Sequence, residues 1–248
     1  MEILVEVVQV IVMKLKTLVN MNKIELLGWY GGDKAIARAA WTSTQVDVDL
    51  KTDEQIGDLI DKKLWNNGSG KPHKTPFERG LVEFNITCDQ ASHIHLLKHR
   101  LANINGESAR YKELKEDKYY IPDDFDIEVK DVYIQNSLDG EQIAASNWKE
   151  VLEAYTQLGN ELYHKALKDL TPILGRKRAK ESTRYFKTMN SQITLSVMMN
   201  MSCFYNFYTL RHDDAAQKEI QWIAEEMLNC VKNIEGNPFK HTIKAFDL

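Results

Sequence analysis

The sequence predicts an α+β fold: a single mixed domain in which long helices flank a small, mainly antiparallel sheet. Three observations support this prediction. Residues 81–88 alternate apolar and polar side chains, as a half-buried strand does. Residues 215–234 carry apolar side chains at helical spacing. The 248 residues, of which 43% are hydrophobic and 27% charged, have the composition of a globular protein.

The first half of the chain is predicted to alternate strands and helices around one clear loop. Asp33, Thr52 and Asp89 are placed to cap the three helices, and Gln55 completes a capping box with Thr52. In order, the predicted elements are a strand at 24–30, a helix from Asp33 to Trp41, a helix from Thr52 to Trp65, a loop at 66–74, a strand at 81–88 and a helix from Asp89 to about Leu101.

The helix from Asp89 is expected to turn its apolar residues, Ile94, Leu97 and Leu101, inward. Asn105-Gly106 suits the end of that helix.

The second half of the chain is predicted to be mainly helical after an irregular, acidic stretch. Its parts are a loop with short strand pieces at 112–138, one or two helices at 139–170, a turn at 175–178, a segment rich in Met, Asn and aromatic residues at 188–208, and an amphipathic helix at 215–234.

Charge and cysteine content narrow the function classes. A net charge of -4 argues against a general nucleic-acid-binding protein, which carries a basic excess. The three cysteines form no CxxC pair, so neither a disulfide framework nor a structural zinc site is expected. A reducing, cytoplasmic compartment fits this usage. No apolar stretch reaches the ~18 residues of a membrane span, so no membrane partner is expected.

The first twelve residues are apolar but do not have the pattern of a signal peptide. Glu2 and Glu6 interrupt the apolar run, and no basic residue precedes it. A strand or a short appendage is the simpler interpretation. The predicted organisation is therefore an N-terminal extension at 1–12 and one domain at 13–248, for which Met13 is an alternative start.

Two histidines four residues apart suggest one kind of site, a metal centre. His95 and His99 share a helix face, as zinc ligands can. No third ligand stands at a plausible place, and Lys98 and Arg100 would repel a cation. No metal is therefore expected, and a metal-dependent hydrolase is the weakest of the alternatives.

The same region fits an anion site better. Arginine offers a planar fork that matches a phosphate group, and serine offers a hydroxyl donor. Lys98, His99 and Arg100 are followed by Ser108 and Arg110 in this sequence. On these residues alone, a solvated basic helix end, favoured by the helix dipole, is the better explanation of the charges, because charged helix ends are common.

The order of the residues resembles the signature of flavin-dependent thymidylate synthases. That signature is Arg-His-Arg, seven residues, Ser, one residue and Arg-Tyr, and here Lys98-His99-Arg100 precedes Ser108-Ala109-Arg110-Tyr111. Further blocks match in the same order: Arg38-Ala39-Ala40, His73-Lys74-Thr75-Pro76-Phe77-Glu78, Ile121-Pro122, Asn200, Asn206, Leu210-Arg211, Ala216-Gln217 and Glu219-Ile220. Several blocks that match in the same order identify a family much more specifically than one motif does.

The resemblance implies a flavoprotein methyltransferase that converts dUMP to dTMP. It implies FAD as cofactor, 5,10-methylenetetrahydrofolate as carbon donor, NADPH as reductant, and a homotetramer whose subunits share active sites. The positions that match flavin-contacting ones are His73, Thr75, Lys98, His99, Arg100, Gly106, Asn200, Met201, Ser202 and Asn206. Those that match nucleotide-contacting ones are His95, Lys98, Gly106, Glu107, Ser108, Ala109, Arg110, Arg184 and Arg211.

Among these, Arg211 and Ser108 are expected to be catalytic. The ring carbon C5 of dUMP must become electron-rich, and a cysteine that adds at C6 is one way to achieve this. No cysteine here is an obvious nucleophile, and Cys203 is interpreted as a packing residue. The family instead places a charge where Arg211 stands, which would stabilise an anionic pyrimidine. Ser108, Arg110 and Arg184 would hold the phosphate.

The sequence also departs from the family pattern. Lys98 replaces an arginine and loses its bidentate fork, and Gly106 stands where an acidic residue is common. Arg79 replaces a histidine, and residues 185–188 replace a run that usually contains Leu-Pro. An impaired flavin- and nucleotide-binding member of the family is therefore the second hypothesis.

Overall fold

The computed structural model describes residues 21–248, so the predicted extension at 1–12 and the alternative start at Met13 lie outside the described residues. The helices and strands are β1 (Lys23–Tyr30), α1 (Gly32–Trp41), α2 (Asp53–Asp58), a π-helix (Leu59–Trp65), β2 (Leu81–Asp89), α3 (Gln90–Leu97), β3 (Asn103–Gly106), β4 (Tyr133–Ile134), β5 (Ile143–Ala144), α4 (Trp148–Leu174), α5 (Arg176–Thr183), β6 (Gln192–Asn200), α6 (Met201–Arg211), α7 (Lys218–Lys232) and α8 (Lys240–Ala245). Short 3-10 helices occupy Thr42–Thr44, Val48–Leu50, Thr75–Arg79, Asp123–Phe125 and Arg184–Phe186. The α+β prediction is confirmed.

The chain forms two compact units. The sheet unit contains residues 23–86, 94–105 and 195–248, and the helical unit contains 87–93 and 106–194 together with residues 21–22. None of the helices in the described part of the chain is long and apolar enough to cross a membrane.

The sheet unit is built around four strands in the order β1-β2-β6-β3. Alternate residues of β2, among them Val82 and Phe84, are fully buried, which confirms the predicted half-buried strand. The amphipathic helix is confirmed as α7, because Ile220, Ile223 and Met227 are all fully buried. This helix packs against β1.

Asp33 does not cap α1, as the sequence suggested. The N-cap is Gly31, whose φ of 92° suits glycine, and it makes no side-chain cap bond. Asp33 is buried, and its carboxylate accepts hydrogen bonds from the backbone amides of His241 and Thr242 at 2.8 and 3.0 Å. The Thr242 hydroxyl donates to it as well, at 2.6 Å. Asp33 therefore fixes the start of α8. Burial raises the pKa of Asp33, although the hydrogen bonds act to lower it.

The predicted helix from Thr52 to Trp65 is present, but it changes type midway. The Gln55 backbone amide donates to the Thr52 hydroxyl oxygen, and the Thr52 backbone amide donates to the Gln55 side-chain oxygen. The predicted capping box is therefore confirmed. The last seven residues form a π-helix ending at Trp65. The predicted loop follows, and its ends are joined where the His73 amide donates to the Leu64 carbonyl at 2.7 Å.

The helical unit is dominated by α4, a helix of 27 residues. Asn147 caps it by accepting a bond from the Glu150 amide, so it begins nine residues later than the prediction from 139. The predicted turn at 175–178 is wrong beyond its first residue. Gly175, with φ of 75°, ends α4, and α5 begins at Arg176.

Two further predictions are corrected by the structure. The segment at 188–208 is not wholly helical, because β6 occupies Gln192–Asn200 before α6 begins. The helix from Asp89 ends at Leu97 rather than Leu101, and its apolar residues do not face inward. Ile94, Leu97 and Leu101 are 46%, 49% and 76% exposed. Asn105-Gly106 lies in β3 rather than at a helix end.

Candidate active site

The buried imidazole of His99 is the centre of the site residues in the sheet unit. It follows α3, and only 9% of His99 is exposed, whereas Lys98 and Arg100 on either side are exposed. The Arg211 Nε, at the end of α6, donates to the His99 Nε2 at 3.0 Å. The Phe207 ring, one turn earlier in α6, meets the imidazole edge to face at 4.9 Å between centroids. Two predicted site residues from distant parts of the chain are therefore in direct contact.

This contact specifies the protonation state of His99. Burial lowers the pKa of His99 to about 4, and the positive charges of Arg211 and His95 lower it further. The imidazole is therefore neutral at neutral pH, and its Nε2 is an acceptor for the arginine. No ion pair to Arg211 occurs among residues 21–248, so a carboxylate does not neutralise its charge.

The junction of β6 and α6 holds four more predicted flavin-contacting residues. Asn200 caps α6, because its Oδ1 accepts the Cys203 amide at 2.8 Å. Met201 is buried, and its amide donates to the Gly80 carbonyl at 2.9 Å. Ser202 is half-buried and Asn206 is exposed. The cap and the backbone bond hold this junction rigidly, while Asn206 is left accessible.

His73 and Thr75 lie where the loop meets the 3-10 helix Thr75–Arg79. Both are exposed, and the buried Phe77 anchors the turn beneath them against Trp65, with ring centroids 5.6 Å apart. The backbone here is thus fixed while the two side chains face solvent.

These side chains suit the flavin cofactor that the resemblance implies. The Lys98 and Arg100 cations have no ion-pair partner within the described part of the chain, and Thr75 and Asn206 add a hydroxyl and an amide. A cationic and hydroxyl donor set matches the diphosphate of FAD. The residues present therefore fit that group.

The helical unit holds the remaining residues that were predicted to contact the nucleotide, Gly106 to Arg110 and Arg184. Ser108 begins a turn: its carbonyl accepts the amides of Tyr111 and Lys112, and its Oγ accepts the Arg110 amide at 3.4 Å. The turn leaves the Ser108 hydroxyl hydrogen free to donate to a ligand. Ala109 lies within this turn and is half-buried.

Glutamates hold the charged side chains around this turn. Glu181 accepts from the Arg110 Nε at 2.7 Å, which leaves both terminal nitrogens of the guanidinium. Glu107 pairs with Lys112 at 2.7 Å, and it also accepts the Thr194 amide at 3.3 Å. Arg184 is exposed, with its guanidinium 6.0 Å from the Tyr185 ring centroid. Glu107 is therefore occupied by contacts within the protein, whereas Arg110 and Arg184 keep N–H donors that are available to a ligand.

The cysteines are not activated as nucleophiles. Burial raises the pKa of Cys88 to about 12, with the Asp89 charge acting in the same direction. Burial also raises the pKa of Cys203 and of Cys230.

One histidine of the candidate metal-binding pair is engaged in another contact. The Nε2 of His99 accepts the Arg211 hydrogen bond. Among the described residues, no group of three or more His, Cys, Asp or Glu side chains is placed to hold a metal ion.

Comparison with known proteins identifies the family of the chain. A profile of the family described as "Thymidylate synthase complementing protein" matches residues 25–235. The chain belongs to this family. Its relatives include the flavin-dependent thymidylate synthase of Thermosipho africanus, which is 30% identical over 209 residues, or 84% of this chain and 85% of the relative. The enzyme of the same name from Clostridium tetani is 27% identical over 89% of this chain and 86% of its own.

Solved structures share the fold. The UMP/dUMP methylase PolB from Streptomyces cacaoi, determined with 5-Br dUMP, superposes with a TM-score of 0.69 at 22% identity. The match covers 92% of this chain and 95% of the methylase. At this identity the likeness concerns the fold, and it agrees with the α+β architecture described above.

Three features of the site were not predicted from the sequence. The His99–Arg211 bond joins residues 112 positions apart, and the Arg110–Glu181 bond joins residues 71 apart. The third feature is Lys187, whose side chain is only 3% exposed. The acid-base pattern of α5 was a usable signal for Glu181, since a lone glutamate among basic residues is a plausible ion-pair partner.

Proposed function

We propose that the protein is a flavin-dependent thymidylate synthase that methylates dUMP to dTMP. The carbon comes from 5,10-methylenetetrahydrofolate and the reducing equivalents from NADPH, so that dUMP, methylenetetrahydrofolate, NADPH and a proton give dTMP, tetrahydrofolate and NADP⁺. The enzyme acts in the cytoplasm as a homotetramer with shared active sites. Membership of the family and the activity for which its relatives are named support this proposal.

The main observation behind the proposal is that Arg211 has no carboxylate partner among the described residues and is hydrogen-bonded to the neutral His99. An arginine whose Nε is fixed by His99 at 3.0 Å presents its two terminal nitrogens in a defined direction. Directed at N3 and O4 of a pyrimidine, that charge stabilises the anionic ring and raises the electron density at C5. Since the cysteines have raised pKa values, electrostatic activation is favoured over addition of a thiolate at C6.

The other residues bind and orient. Ser108, Arg110 and Arg184 hold the phosphate of dUMP, with the Glu181 contact setting the direction of Arg110. Lys98 and Arg100 hold the FAD diphosphate, and Thr75, Asn200 and Asn206 contact the flavin, as do His73, Met201 and Ser202. The flavin, when bound, supplies the hydride chemistry, and the protein supplies orientation and charge.

The decisive experiment is an absorption spectrum followed by an assay. The purified protein is expected to show the flavin bands, and with methylenetetrahydrofolate and NADPH it is expected to convert dUMP to dTMP. Colourless protein that gains no flavin on reconstitution with FAD would contradict the proposal.

A second candidate is a binding protein of the same family that no longer turns over. The observation that favours it is Lys98, which has one ammonium where the family has a guanidinium fork. Binding of FAD and dUMP without NADPH oxidation would support this candidate. A Lys98→Arg variant that gained activity would identify the position responsible.

A further inference from the structure

Lys187 in the helical unit is a lysine with a buried ammonium group. Only 3% of its side chain is exposed. The Nζ donates to the Asp117 carboxylate at 2.5 Å and to the Asn160 Oδ1 at 2.7 Å, and it lies 4.6 Å from the centroid of the Tyr163 ring. Lysine is rarely buried unless it is paired. Three partners around one ammonium therefore indicate a specific anchoring point.

Asp117 is itself held from two sides. His164 in α4 contacts its carboxylate at 2.9 Å, opposite the lysine. The backbone of Asp117 has a φ of 48°, a left-handed conformation that a non-glycine residue adopts at a cost. The contacts with Lys187 and His164 stabilise this conformation. The ion pair thus joins the segment around Asp117 to α4.

The anchor lies directly after the turn that carries Arg184. The 3-10 helix Arg184–Phe186 ends at Lys187, whose amide donates to the Arg184 carbonyl at 3.1 Å. On the other side of this turn, the Phe186 carbonyl approaches α4 at Gly159, where an added Cβ would lie 2.6 Å from the oxygen. The turn is therefore clamped to α4 by a close backbone approach and by the lysine.

The residues after Lys187 reinforce the same attachment. The Thr156 hydroxyl of α4 donates to the Asn190 Oδ1 at 3.1 Å, and the Asn190 Nδ2 donates to the Tyr120 carbonyl at 2.9 Å. Stability alone does not explain this buried charge, because a well-packed apolar side chain often stabilises a fold as much as a buried ion pair does, or more. A buried pair does impose one geometry on the groups it joins. Lys187 also lies in the run where this sequence departs from the family pattern.

We propose that Lys187 is a positioning residue for nucleotide binding: by tying the Arg184 turn to Asp117 and α4, it directs the exposed Arg184 guanidinium towards the phosphate of dUMP. The inference rests on the proposed function, since that function assigns the phosphate contact to Arg184. Lys187 itself does not touch the nucleotide.

The test compares three variants of the full-length protein. Lys187→Met keeps the apolar stem and removes the ammonium, and Lys187→Arg keeps a cation that can pair with Asp117. Lys168→Met, which replaces an exposed lysine of α4, the helix that Lys187 contacts through Asn160, is the matched control. In Lys187→Met the dissociation constant and KM for dUMP are expected to rise by about ten- to a hundredfold, the effect of misplacing a binding group. The kcat at saturating dUMP is expected to change much less. Lys187→Arg should recover part of the affinity, and Lys168→Met should match the wild type.

Several outcomes would overturn the inference. A folded Lys187→Met protein with wild-type affinity for dUMP would do so, as would a lower melting temperature with an unchanged dissociation constant, which indicates a purely structural role. If Lys187→Met does not fold, Asp117→Asn replaces it, with the same expected loss of affinity and the same contradicting result.

Hydrogen exchange separates this inference from the proposed function. Backbone amides at 184–190 are expected to exchange faster in Lys187→Met than in Lys168→Met without any ligand. If the wild-type protein binds no dUMP, the proposed function fails, and the anchoring role is then decided by this exchange alone. Unchanged exchange would contradict it.

Discussion

At the scale of single residues, the contact between Arg211 and His99 makes the direction of an arginine depend on the protonation of a histidine. The Arg211 Nε donates to the His99 Nε2, so the bond requires the neutral ring. A pKa of about 4 keeps that ring neutral across the physiological range. The two residues were predicted for different ligands, one for the flavin and one for the nucleotide, and their contact couples the two parts of the site.

Replacement of Arg211 tests the electrostatic role. Arg211→Ala removes the charge that we propose stabilises the pyrimidine anion, so kcat is expected to fall by at least about 10²- to 10³-fold, as when one transition-state donor is lost. The fold should persist because Arg211 is the last residue of α6 and is only half-buried. dTMP formation is the measurement. The control is Lys232→Ala, an exposed cation at the end of α7, and wild-type rates in Arg211→Ala would refute the role.

The lowered pKa of His99 predicts how stability depends on pH. The folded value of about 4 lies below the ordinary 6.5, so between these values the unfolded chain binds a proton that the folded protein does not. His99 therefore contributes stability above pH 6.5 that is lost as the pH falls towards 4. The slope from this one group is at most about 1.4 kcal/mol per pH unit.

Urea unfolding at a series of pH values measures this slope. His99→Gln is expected to lose the part of the acid dependence that comes from this histidine, while His73→Gln, which replaces an exposed histidine, should follow the wild type. Identical pH profiles for wild type and His99→Gln would show that the histidine is not buried neutral.

At the scale of elements, local patterns predicted the structure where a short stretch of sequence contains the whole cause. The Thr52–Gln55 capping box and the alternation of β2 are of this kind. Asp33 was misassigned because its partners, His241 and Thr242, are more than 200 residues away, and sequence distance hides them. The position of a cap residue alone does not reveal which helix it caps.

The misread segment at 188–208 lacks a local signal at the boundary between its strand and its helix. β6 buries Leu195, Val197 and Met199 at alternate positions, so the strand signal was present. The Met-Met-Asn-Met run continues it into α6 without a glycine or proline to mark the boundary, and Asn200 caps the helix instead. In the candidate site, the ordered blocks predicted the residues, whereas the contacts of Arg211 and Arg110 depend on packing between elements that no local pattern specifies.

The close approach of α4 to the Arg184 turn predicts the effect of one methyl group. Gly159→Ala places a Cβ 2.6 Å from the Phe186 carbonyl oxygen, so the turn must shift. The expected loss is about 1–3 kcal/mol of unfolding free energy, although alanine is the better helix former. Urea unfolding measures it. Gly28→Ala, where no atom lies within 4 Å of the added Cβ, is the control, and equal stabilities would contradict the contact.

At the scale of the whole molecule, the exposed apolar face of α3, where Ile94 and Leu97 are three residues apart, bears on assembly. Neighbouring large apolar side chains on a surface mark interaction sites. The proposed homotetramer supplies a partner, a second copy of this chain. The sequence-based expectation that these residues face inward was wrong for one chain, because periodicity identifies an apolar face without saying what covers it.

A charge on that face is expected to disturb assembly. Leu97→Glu should lower the mass measured by light scattering, because burying an unpaired carboxylate in an interface is strongly unfavourable. The flavin bands should weaken with it if active sites are shared. Leu50→Glu, which replaces a leucine that is 81% exposed, is the control. An unchanged mass for Leu97→Glu would place the interface elsewhere.

The hydrogen bonds between Asp33 and α8 can form only late in the synthesis of the chain. The carboxylate and its first amide partner are separated by 208 residues. At a translation rate of about 5–20 residues per second, the ribosome makes the second group roughly 10 to 40 s after the first. Until then the carboxylate of Asp33 remains hydrated, and α1 lacks the C-terminal helix on which it closes. The sheet unit is assembled from residues 23–86, 94–105 and 195–248, so a nascent chain completes it only after residues 195–248 have emerged.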